Sequence, residues 1–434
     1  MKNDYKIHFV GIGGIGVSSL ARYFLSKGCS VSGSDASSFS ELESLGIKVL
    51  EGHDTDHVPK DTDLLIYSTA VSENNPEIKE ARRRGITIKS YPQALGDITK
   101  EYHTITVSGT HGKSTTTAML ALVLEKGGFD PTVIIGTKLK EFGGTNFKKG
   151  ESKYLLIEAD EWKAALLNYY PRAAIVTNIE EDHLDFYNDL DDIINTFKSY
   201  LSNNLQEEGF LVLNMDDKGA RSVMNTFSGE VIGYSLNDKE SKGIKLNVPG
   251  KHNLSNALAA FHLASRMGMG RSTILEALSE FEGTWRRFEE EEIVLENGKR
   301  VTIVNDYAHH PTEIKSTLQA AREKYPKKRI TAVFQPHQYE RTYRLFNEFK
   351  EAIDSAEVDR FLVSDIYTVK GRESEEIKKK VDSRKLCKET KKGLYSGDLE
   401  NTAITLKKDL QEEEIVVIMG AGDVYNLRGY IKRS

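Results

Sequence analysis

The chain has 434 residues, which exceeds one compact domain and favours about three. Its composition, 39% hydrophobic and 29% charged, is typical of a soluble globular protein, and a net charge of −6 with mixed signs argues against nucleic acid as a partner. There is no apolar run of the roughly 18 residues that a membrane span needs, and the N-terminus lacks the form of a signal peptide. With only Cys29 and Cys387 as cysteines, we expect a cytoplasmic protein that contacts no membrane.

Short apolar runs alternate with helix-length segments along nearly the whole chain. In chain order the predicted strands are KIHFVGIG, SVSGSD, DLLIYST, YHTITVSG, KYLLIEAD, AAIVTNI, GFLVLN, RITAVFQ, RFLVSDI and EIVVIMGAG. This βαβ pattern predicts an α/β fold of mostly parallel sheets. Boundaries before YHTITVSG and after WRRFEEEEI divide the chain into expected domains at 1–99, 100–288 and 289–434.

The first glycine loop follows the first predicted strand and opens a helix. Gly11, Gly13 and Gly16 form G-x-G-x-x-G, and Asp35 ends the next strand. Such a loop lets the backbone approach a diphosphate at a helix N-terminus. A nicotinamide cofactor and a nucleotide-diphosphate sugar both fit this pattern, and so does a tight strand–helix turn without a ligand.

The second glycine loop, VSGTHGKSTTT, resembles a P-loop with a displaced first glycine. Gly112, Lys113 and Ser114 match the end of G-x-x-x-x-G-K-[ST], but Val107 stands where the first glycine belongs and Gly109 follows two residues later. A strand precedes the loop and a helix follows it, as a phosphate cradle requires. We expect Lys113 to hold the β- and γ-phosphates and Ser114 to reach a magnesium ion.

Polar residues at later strand ends add candidates for the same chemistry. Glu158 ends the strand in YLLIEADE, where a carboxylate can bind magnesium, and His183 follows the next strand in NIEEDHLD. The neighbouring acids, Asp160, Glu161, Glu180, Glu181 and Asp182, are interpreted mostly as exposed or supporting residues.

The shortened loop GTHGKS resembles that of the Mur ligases, ATP-dependent amide-forming enzymes of cell-wall synthesis. Further motifs occur in the order of that family: HFVGIGGIGVSSLA, GSD, STAVSENNPEI, IEADE, IVTNIEEDHLDFY, PGKHNLSNALAA, RRFE, DYAHHPTEI, QPHQYERT and MGAGDVYNL. The resemblance spans the whole chain. It implies an N-terminal Rossmann-like domain, a central ATPase domain with a P-loop and a parallel sheet, and a C-terminal Rossmann-like domain.

The same resemblance implies a function in peptidoglycan precursor synthesis. The expected enzyme joins UDP-N-acetylmuramate to L-alanine through an acyl phosphate, with ATP and magnesium, as a monomer or weak homodimer. This favours UDP over NAD at the first loop. The alternatives are a related ligase that attaches a preformed peptide to the same UDP-sugar, an NAD-dependent oxidoreductase, which leaves GTHGKST unexplained, and a non-catalytic relative.

The resemblance also assigns roles to individual positions. The expected catalytic residues are Lys113, Glu158, His183, Asn253 and Arg287, and the expected metal ligands are Ser114, Glu158 and His183. The residues expected to bind ATP are Gly109, Thr110, His111, Gly112, Lys113, Ser114, Thr115, Asn253, Asn256, Arg287 and Asp306. The residues expected to bind the UDP-sugar are Gly11, Gly13, Gly14, Ile15, Gly16, Ser34, Asp35 and Ser68. The residues expected to bind the amino acid are Tyr307, His309, His337 and Arg341.

Several of these positions have other interpretations, or depart from the family pattern. Asn253 and Asn256 could be helix caps, and the adjacent His309 and His310 lack the cysteine or acid spacing of a zinc site. In QPHQYERT, Gln338 stands where the family usually has a first arginine. Related ligases carry a carbamylated lysine near this chain's Lys198, but the alanine-adding branch usually lacks it.

Overall fold

The N-terminal sheet is parallel and carries the first glycine loop. The computed structural model describes residues 5–37, 39–368 and 373–432. In this part of the chain the first strands are β1 Lys6–Val10, β2 Ser30–Asp35, β3 Lys48–Glu51, β4 Leu64–Tyr67 and β5 Thr87–Ser90, in the sheet order β3-β2-β1-β4-β5. The helices are α1 Ile15–Ser26, α2 Ser40–Glu43, α3 Pro76–Arg83 and α4 Tyr91–Thr99.

The middle sheet carries the second glycine loop. Its strands are β6 His103–Ser108, β7 Thr132–Leu139, β8 Thr145–Lys148, β9 Tyr154–Ala159, β10 Ala173–Val176, β11 Phe210–Asn214 and β12 Glu230–Tyr234, in the order β12-β11-β10-β6-β9-β7-β8. Only the β7–β8 pair among these described strands is antiparallel. The helices are α5 Lys113–Lys126, α6 Leu190–Asn203, α7 Lys218–Ser222, α8 Lys251–Arg266 and α9 Arg271–Glu280.

The last sheet is parallel apart from its first strand. Its strands are β13 Glu289–Val294, β14 Arg300–Asp306, β15 Ile330–Phe334, β16 Arg360–Ser364, β17 Gly393–Gly397 and β18 Ile415–Met419, in the order β13-β14-β18-β15-β16-β17. The helices are α10 Pro311–Lys324, α11 Tyr339–Arg344, α12 Phe346–Ser355, α13 Glu375–Lys380, α14 Ser383–Glu389, α15 Leu399–Asp409 and α16 Leu427–Lys432.

Central strands are apolar on both faces because helices cover both sides of a parallel sheet. Every residue of β10 (AAIV) and of β18 (IVVIM) is buried. The three sheets confirm the predicted α/β fold of mostly parallel sheets. Among the described residues, we find no helix with both the length and the apolar character needed to cross a membrane.

The chain forms two compact units, each assembled from separate segments. Unit 1 comprises 1–179, 193–235 and 257–278, and unit 2 comprises 180–192, 236–256 and 279–434. Unit 1 therefore contains the first two sheets, and unit 2 contains the third together with the segment around His183. The expected domain boundaries near 100 and 288 remain a prediction.

Candidate functional site

The second glycine loop lies at the carboxyl end of β6, directly before α5. Gly109 has φ +129°, and a Cβ at that position would approach the Thr177 Oγ1 to 2.2 Å. Gly112, with φ +81°, precedes the first residue of α5. A residue with a side chain would therefore be strained at Gly109 and would also collide with its neighbour.

Two residues that sequence reasoning missed hold this loop. The Thr177 hydroxyl donates to the His111 carbonyl at 2.7 Å, and the Asn178 amide nitrogen donates to the same oxygen at 3.0 Å. The Asn178 side-chain oxygen accepts the His111 N–H at 2.8 Å, and the Asn178 backbone carbonyl accepts the Thr110 N–H at 3.0 Å. Both residues follow β10, which pairs with β6, so the available signal was the polar end of the run AAIVTNI.

Lys113 extends back over the loop. Its ammonium group donates to the carbonyl oxygens of Gly109 at 2.7 Å and Thr110 at 3.2 Å, and to the Glu161 carboxylate at 2.9 Å. Burial favours the neutral amine, but the charges of Glu161 and Asp160 outweigh it and raise the pKa of Lys113. The side chain is thus kept cationic. The sequence left open whether Glu161 is exposed or supports the site. Glu161 is buried, with 1% exposure, and it contacts Lys113, so it is a supporting residue.

Ser114 and Glu158, both expected metal ligands, lie together in unit 1. The Ser114 hydroxyl donates to Glu158 Oε2 at 3.0 Å, and the Gly136 N–H donates to Oε1 at 2.7 Å. Burial raises the pKa of Glu158 despite these hydrogen bonds. One hydroxyl and one carboxylate form the oxygen donor set that a hard cation such as Mg²⁺ prefers, so these residues fit the ion. Thr115 is buried in the first turn of α5.

The predicted UDP-sugar residues surround the N-terminus of α1. The Ser34 carbonyl accepts the N–H groups of Gly11 and Ile12 at 2.8 and 3.1 Å, and the Asp35 carboxylate accepts the Gly13 N–H at 2.8 Å. Gly11 has φ +78°, which leaves its backbone close to Ser68. Gly14, Ile15 and Gly16 form the start of the helix.

Ser34 is hydrogen-bonded to a cluster of Glu77, His53 and His8 that sequence reasoning missed. Glu77 accepts the Ser34 hydroxyl at 2.6 Å and is hydrogen-bonded to His53 and His8, both at 2.7 Å. Burial would raise the pKa of Glu77, but the hydrogen bonds from His8 and Ser34 outweigh it and lower the pKa. The only sequence signal was the NPEI motif at the start of α3.

Asp306 and Arg287, which the sequence predicts to bind the nucleotide, both lie in unit 2. Asp306 accepts the backbone N–H groups of Phe288 and Ala308, both at 2.8 Å. The Arg287 guanidinium lies 5.1 Å from the centre of the Tyr307 ring and 3.3 Å from Glu313. Burial raises the pKa of Asp306, although the charge of Arg287 opposes this shift.

Three of the predicted amino-acid residues form an aromatic cluster. Ring centres are 5.3 Å apart for Tyr307 and His309, and 6.0 Å apart for His309 and His337. Tyr367, which the sequence did not single out, stacks on His337 at 5.5 Å. His310 has a different role, because it caps α10.

The two asparagines of α8 are buried in its first turns. The Asn253 side-chain nitrogen donates to the Pro249 carbonyl at 2.7 Å. A helix N-cap accepts a backbone N–H instead, so this contact is not a capping bond. Asn256 lies three residues later, on the same side of the helix.

Arg341 and His183 belong to unit 2 and line one small cavity with Asp182 and Gln338. Arg341 is buried and donates two hydrogen bonds to Asp182, at 3.0 and 2.9 Å. Ser114 and Glu158 belong to unit 1. Lys198 lies on the exposed side of α6, next to the buried Phe197.

A lysine and a serine after a glycine loop, between a parallel strand and a helix, define a P-loop type of nucleotide-binding protein. Comparison with known proteins narrows this class. Sequence signatures described as Mur ligase family, catalytic domain, Mur ligase middle domain, and Mur ligase, glutamate ligase domain match residues 6–103, 107–264 and 286–422. The chain belongs to the Mur ligase family.

Individual relatives are similar over the whole chain. The UDP-N-acetylmuramate–L-alanine ligase of Desulforapulum autotrophicum is 39% identical over 98% of this chain and 98% of its own length. The structure of the UDP-N-acetylmuramate–alanine ligase of Thermotoga maritima is 30% identical, with a TM-score of 0.78 over 99% of this chain and 98% of that one. A peptide-attaching relative, the UDP-N-acetylmuramate:L-alanyl-γ-D-glutamyl-meso-diaminopimelate ligase from Neisseria meningitides, is 28% identical, with a TM-score of 0.60 over 65% of this chain and 100% of that one.

Proposed function

We propose that this protein is an ATP-dependent ligase that joins UDP-N-acetylmuramate to L-alanine in peptidoglycan precursor synthesis. The observation that carries the proposal is the 39% identity, over 98% of both chains, to a relative with that name. The second glycine loop agrees with it, since Lys113, Ser114 and Glu158 are all present, Ser114 donates to Glu158 at 3.0 Å, and the charge of Glu158 acts on Lys113.

The reaction needs ATP because an amide does not form spontaneously from a carboxylate and an amine in water. The sugar carboxylate attacks the γ-phosphorus and ADP leaves, which gives an acyl phosphate. The amino group of alanine then attacks the acyl carbon, phosphate leaves, and the amine loses a proton. Both steps concentrate negative charge, which positive groups and dipoles must stabilise.

Unit 1 supplies the phosphate-binding groups in this proposal. The loop residues 109–115 surround the triphosphate, and Lys113 neutralises the charge that grows on the transferred phosphoryl group. Ser114 and Glu158 would hold Mg²⁺, which, when bound, neutralises phosphate charge. The first glycine loop, with Ser34, Asp35 and Ser68, binds the UDP part, because free N–H groups at the start of α1 favour a diphosphate.

The remaining contacts of this proposal are those that the family resemblance implies. Asn253, Asn256, Arg287 and Asp306 bind the nucleotide, and His183 is the third metal ligand. The residues that contact the amino acid are Tyr307, His309, His337 and Arg341. Aromatic and imidazole rings suit a small amino acid because they exclude water and still offer polar edges.

We further propose three domains at 1–99, 100–288 and 289–434, and a cytoplasmic monomer or weak homodimer. The three sheets support the division, since their strands lie within 6–90, 103–234 and 289–419. Two free, buried cysteines, Cys29 and Cys387, suit a reducing compartment.

The test measures ADP and phosphate release by the full chain with ATP, Mg²⁺ and UDP-N-acetylmuramate. L-alanine, glycine, L-serine and the tripeptide L-Ala-γ-D-Glu-meso-diaminopimelate are offered separately, and products are identified by mass. We expect turnover with alanine, and a loss of more than about 100-fold in Lys113→Ala, since one such electrostatic contact contributes several kcal/mol.

Lys126→Ala is the matched control, because Lys126 is an exposed lysine at the other end of α5, paired with Glu276. It should keep wild-type turnover. Use of the tripeptide without use of alanine would support the peptide-attaching alternative. Activity of Lys113→Ala within tenfold of the wild type would remove the phosphate-loop assignment.

A further inference from the structure

Lys163 connects the carboxyl ends of two strands that belong to different sheets. It lies shortly after β9 of the middle sheet, and its ammonium group donates to the Thr69 carbonyl at 3.1 Å. Thr69 lies shortly after β4 of the first sheet, directly beyond Ser68. Both strands belong to unit 1. Ligands bind at the carboxyl edge of open α/β sheets, so Lys163 lies between two edges that each carry a predicted substrate site.

The turn that carries Lys163 also supports the second glycine loop. Glu161 contacts the Lys113 ammonium group at 2.9 Å. The Glu161 carbonyl accepts the Ala164 N–H at 2.9 Å, and the Asp160 carbonyl accepts the Leu166 N–H at the same distance. We refer to residues 160–164 as the Lys163 turn. Its hydrogen bonds place Lys163 close in the chain to the residue that holds the phosphate-binding lysine.

The backbone of the Lys163 turn is strained. Lys163 has φ +51° and Ala164 has φ +53°, so two successive residues with side chains lie in the left-handed region. Residues other than glycine adopt this region rarely, and they keep it only where their surroundings hold them there. Here the surroundings are the two backbone hydrogen bonds and the contact with Thr69. Such strain is concentrated at ligand-binding sites.

The charge of Lys163 has no carboxylate partner within the part of the chain that the structure describes. Its exposed ammonium group donates to the neutral Thr69 carbonyl and lies 4.7 Å from the centre of the Trp162 ring. Lys113 and Arg287, in contrast, each contact a glutamate. A lysine has three N–H donors, so Lys163 retains both a charge and donors for an anionic ligand.

We propose that Lys163 binds the carboxylate of the UDP-sugar and holds it near the second glycine loop. This inference rests on the proposed ligase function, in which the UDP part binds the first glycine loop while the carboxylate attacks the γ-phosphorus. The substrate must therefore extend from the carboxyl edge of the first sheet to that of the middle sheet. Lys163 spans this interval, and an ammonium–carboxylate hydrogen bond is charge-assisted.

Steady-state kinetics of the full chain test this contact. In Lys163→Met, the KM for UDP-N-acetylmuramate should rise by at least about tenfold, since a hydrogen bond between charged groups contributes that much affinity. The KM values for ATP and alanine should change less than about threefold. Lys163→Arg retains the charge with a different shape, so its KM for the UDP-sugar should lie between those of Lys163→Met and the wild type.

A second ligand separates the carboxylate from the rest of the substrate. UDP-N-acetylglucosamine has the same UDP part and a closely similar sugar but no carboxylate, and it serves as a competitive inhibitor. Its inhibition constant should change less than about twofold in Lys163→Met. An equal loss of affinity for both UDP-sugars would overturn the proposal, because Lys163 would then act on the UDP part or on the fold.

Lys153→Met is the matched control. Lys153 is an exposed lysine just before β9, at the opposite end of the strand, and its ammonium group lies 5.6 Å from the ring of its neighbour Tyr154. This variant should keep all wild-type constants. A KM for UDP-N-acetylmuramate in Lys163→Met that is equal to that of Lys153→Met would show that Lys163 is only a solvated lysine, which contradicts the proposal.

Thermal unfolding establishes that each variant is folded, and Lys163→Gln replaces Lys163→Met if the latter is not. If the wild type fails to use alanine, the proposed function fails independently of Lys163. Calorimetric Kd values of the two UDP-sugars then test the contact without turnover. A loss in Lys163→Met that is confined to UDP-N-acetylmuramate supports it, and equal Kd values in the variant and the wild type overturn it.

Discussion

Gln338 is the residue at which this chain departs from the family motif. It lies at the start of α11 with φ +71° and lines the same cavity as Arg341. Since Asp182 offsets the charge of Arg341, a second arginine would add net positive charge there. A hydrogen bond to a charged group contributes about 1 kcal/mol more binding free energy than a neutral one. We therefore expect Gln338→Arg to lower the KM for alanine several-fold and to leave the KM for the UDP-sugar nearly constant, as measured by steady-state kinetics.

The control adds the same charge elsewhere. Gln319 is exposed on α10 and bonds Glu323, so Gln319→Arg should leave both constants at wild-type values. An unchanged or higher KM for alanine in Gln338→Arg would mean that position 338 does not face the substrate carboxylate. Because glutamine already adopts the left-handed conformation, arginine introduces no new backbone strain at this position.

Other cations of the candidate site are matched in the same way as Arg341. Lys113 contacts Glu161 at 2.9 Å, and Arg287 contacts Glu313 at 3.3 Å. A buried cation without a partner would destabilise the fold, so each cation needs a carboxylate from the chain itself. Sequence reasoning identified the cations but not their partners.

At the level of single helices, the first turn of α8 contains a histidine that should make the protein acid-sensitive. Burial and the nearby charge of Arg287 lower the pKa of His252 to about 4. An unfolded chain has a histidine pKa of about 6.5. As the pH falls below 6.5, the unfolded state binds a proton that the folded state excludes, so stability decreases until about pH 4, where the loss reaches about 3 kcal/mol.

Thermal unfolding of His252→Gln should therefore depend less on pH than that of the wild type. The difference in Tm between the two proteins should be constant above pH 7 and should shift in favour of the variant between pH 6.5 and 4.5. A parallel pH dependence of both proteins would show that His252 titrates normally. The comparison above pH 7 is the internal control, since the histidine is then neutral in both states.

Strand–loop–helix elements were predictable because local signals specify them. The glycines at 11 and 112 sit between an apolar run and a helical pattern, and both loops lie where the sequence predicts them. Partners from another strand were not predictable, because they depend on sheet order. Thr177 and Asn178 contact the second glycine loop because β10 pairs with β6.

Side-chain pairs between residues far apart in the sequence could not be predicted, for the same reason. Asp182 and Arg341 are 159 residues apart, and Glu77 and His8 are 69 apart. Each of these acids looks like an exposed residue in its local pattern, although both are buried. The roles of the candidate site residues, including the metal ligands, stay predictions.

Across the whole molecule, each sheet ends in at least one polar or glycine-rich loop at the carboxyl edge of its parallel strands. This edge is where ligands bind in open α/β sheets. The first glycine loop follows β1, the second glycine loop follows β6, and the aromatic cluster follows β14 and β15. Three such edges match the three substrates of the proposed reaction.

The loop after β1 leads into the N-terminus of α1, and a helix N-terminus favours a diphosphate. Because β1 and α1 both lie in unit 1, UDP-N-acetylmuramate should bind the full chain without ATP. A ligand that binds only the folded state adds about 2.7 kcal/mol at 100 times its Kd, which raises the Tm measurably. We expect a higher Tm with the UDP-sugar alone and no change with NAD. Asp35→Ala should abolish the shift, since Asp35 holds the Gly13 N–H at 2.8 Å. Asp63→Ala is the matched control, because Asp63 accepts the Lys6 N–H at 2.9 Å just before β4, at the opposite edge of the same sheet. A Tm shift with NAD and none with the UDP-sugar would restore the oxidoreductase alternative for this loop.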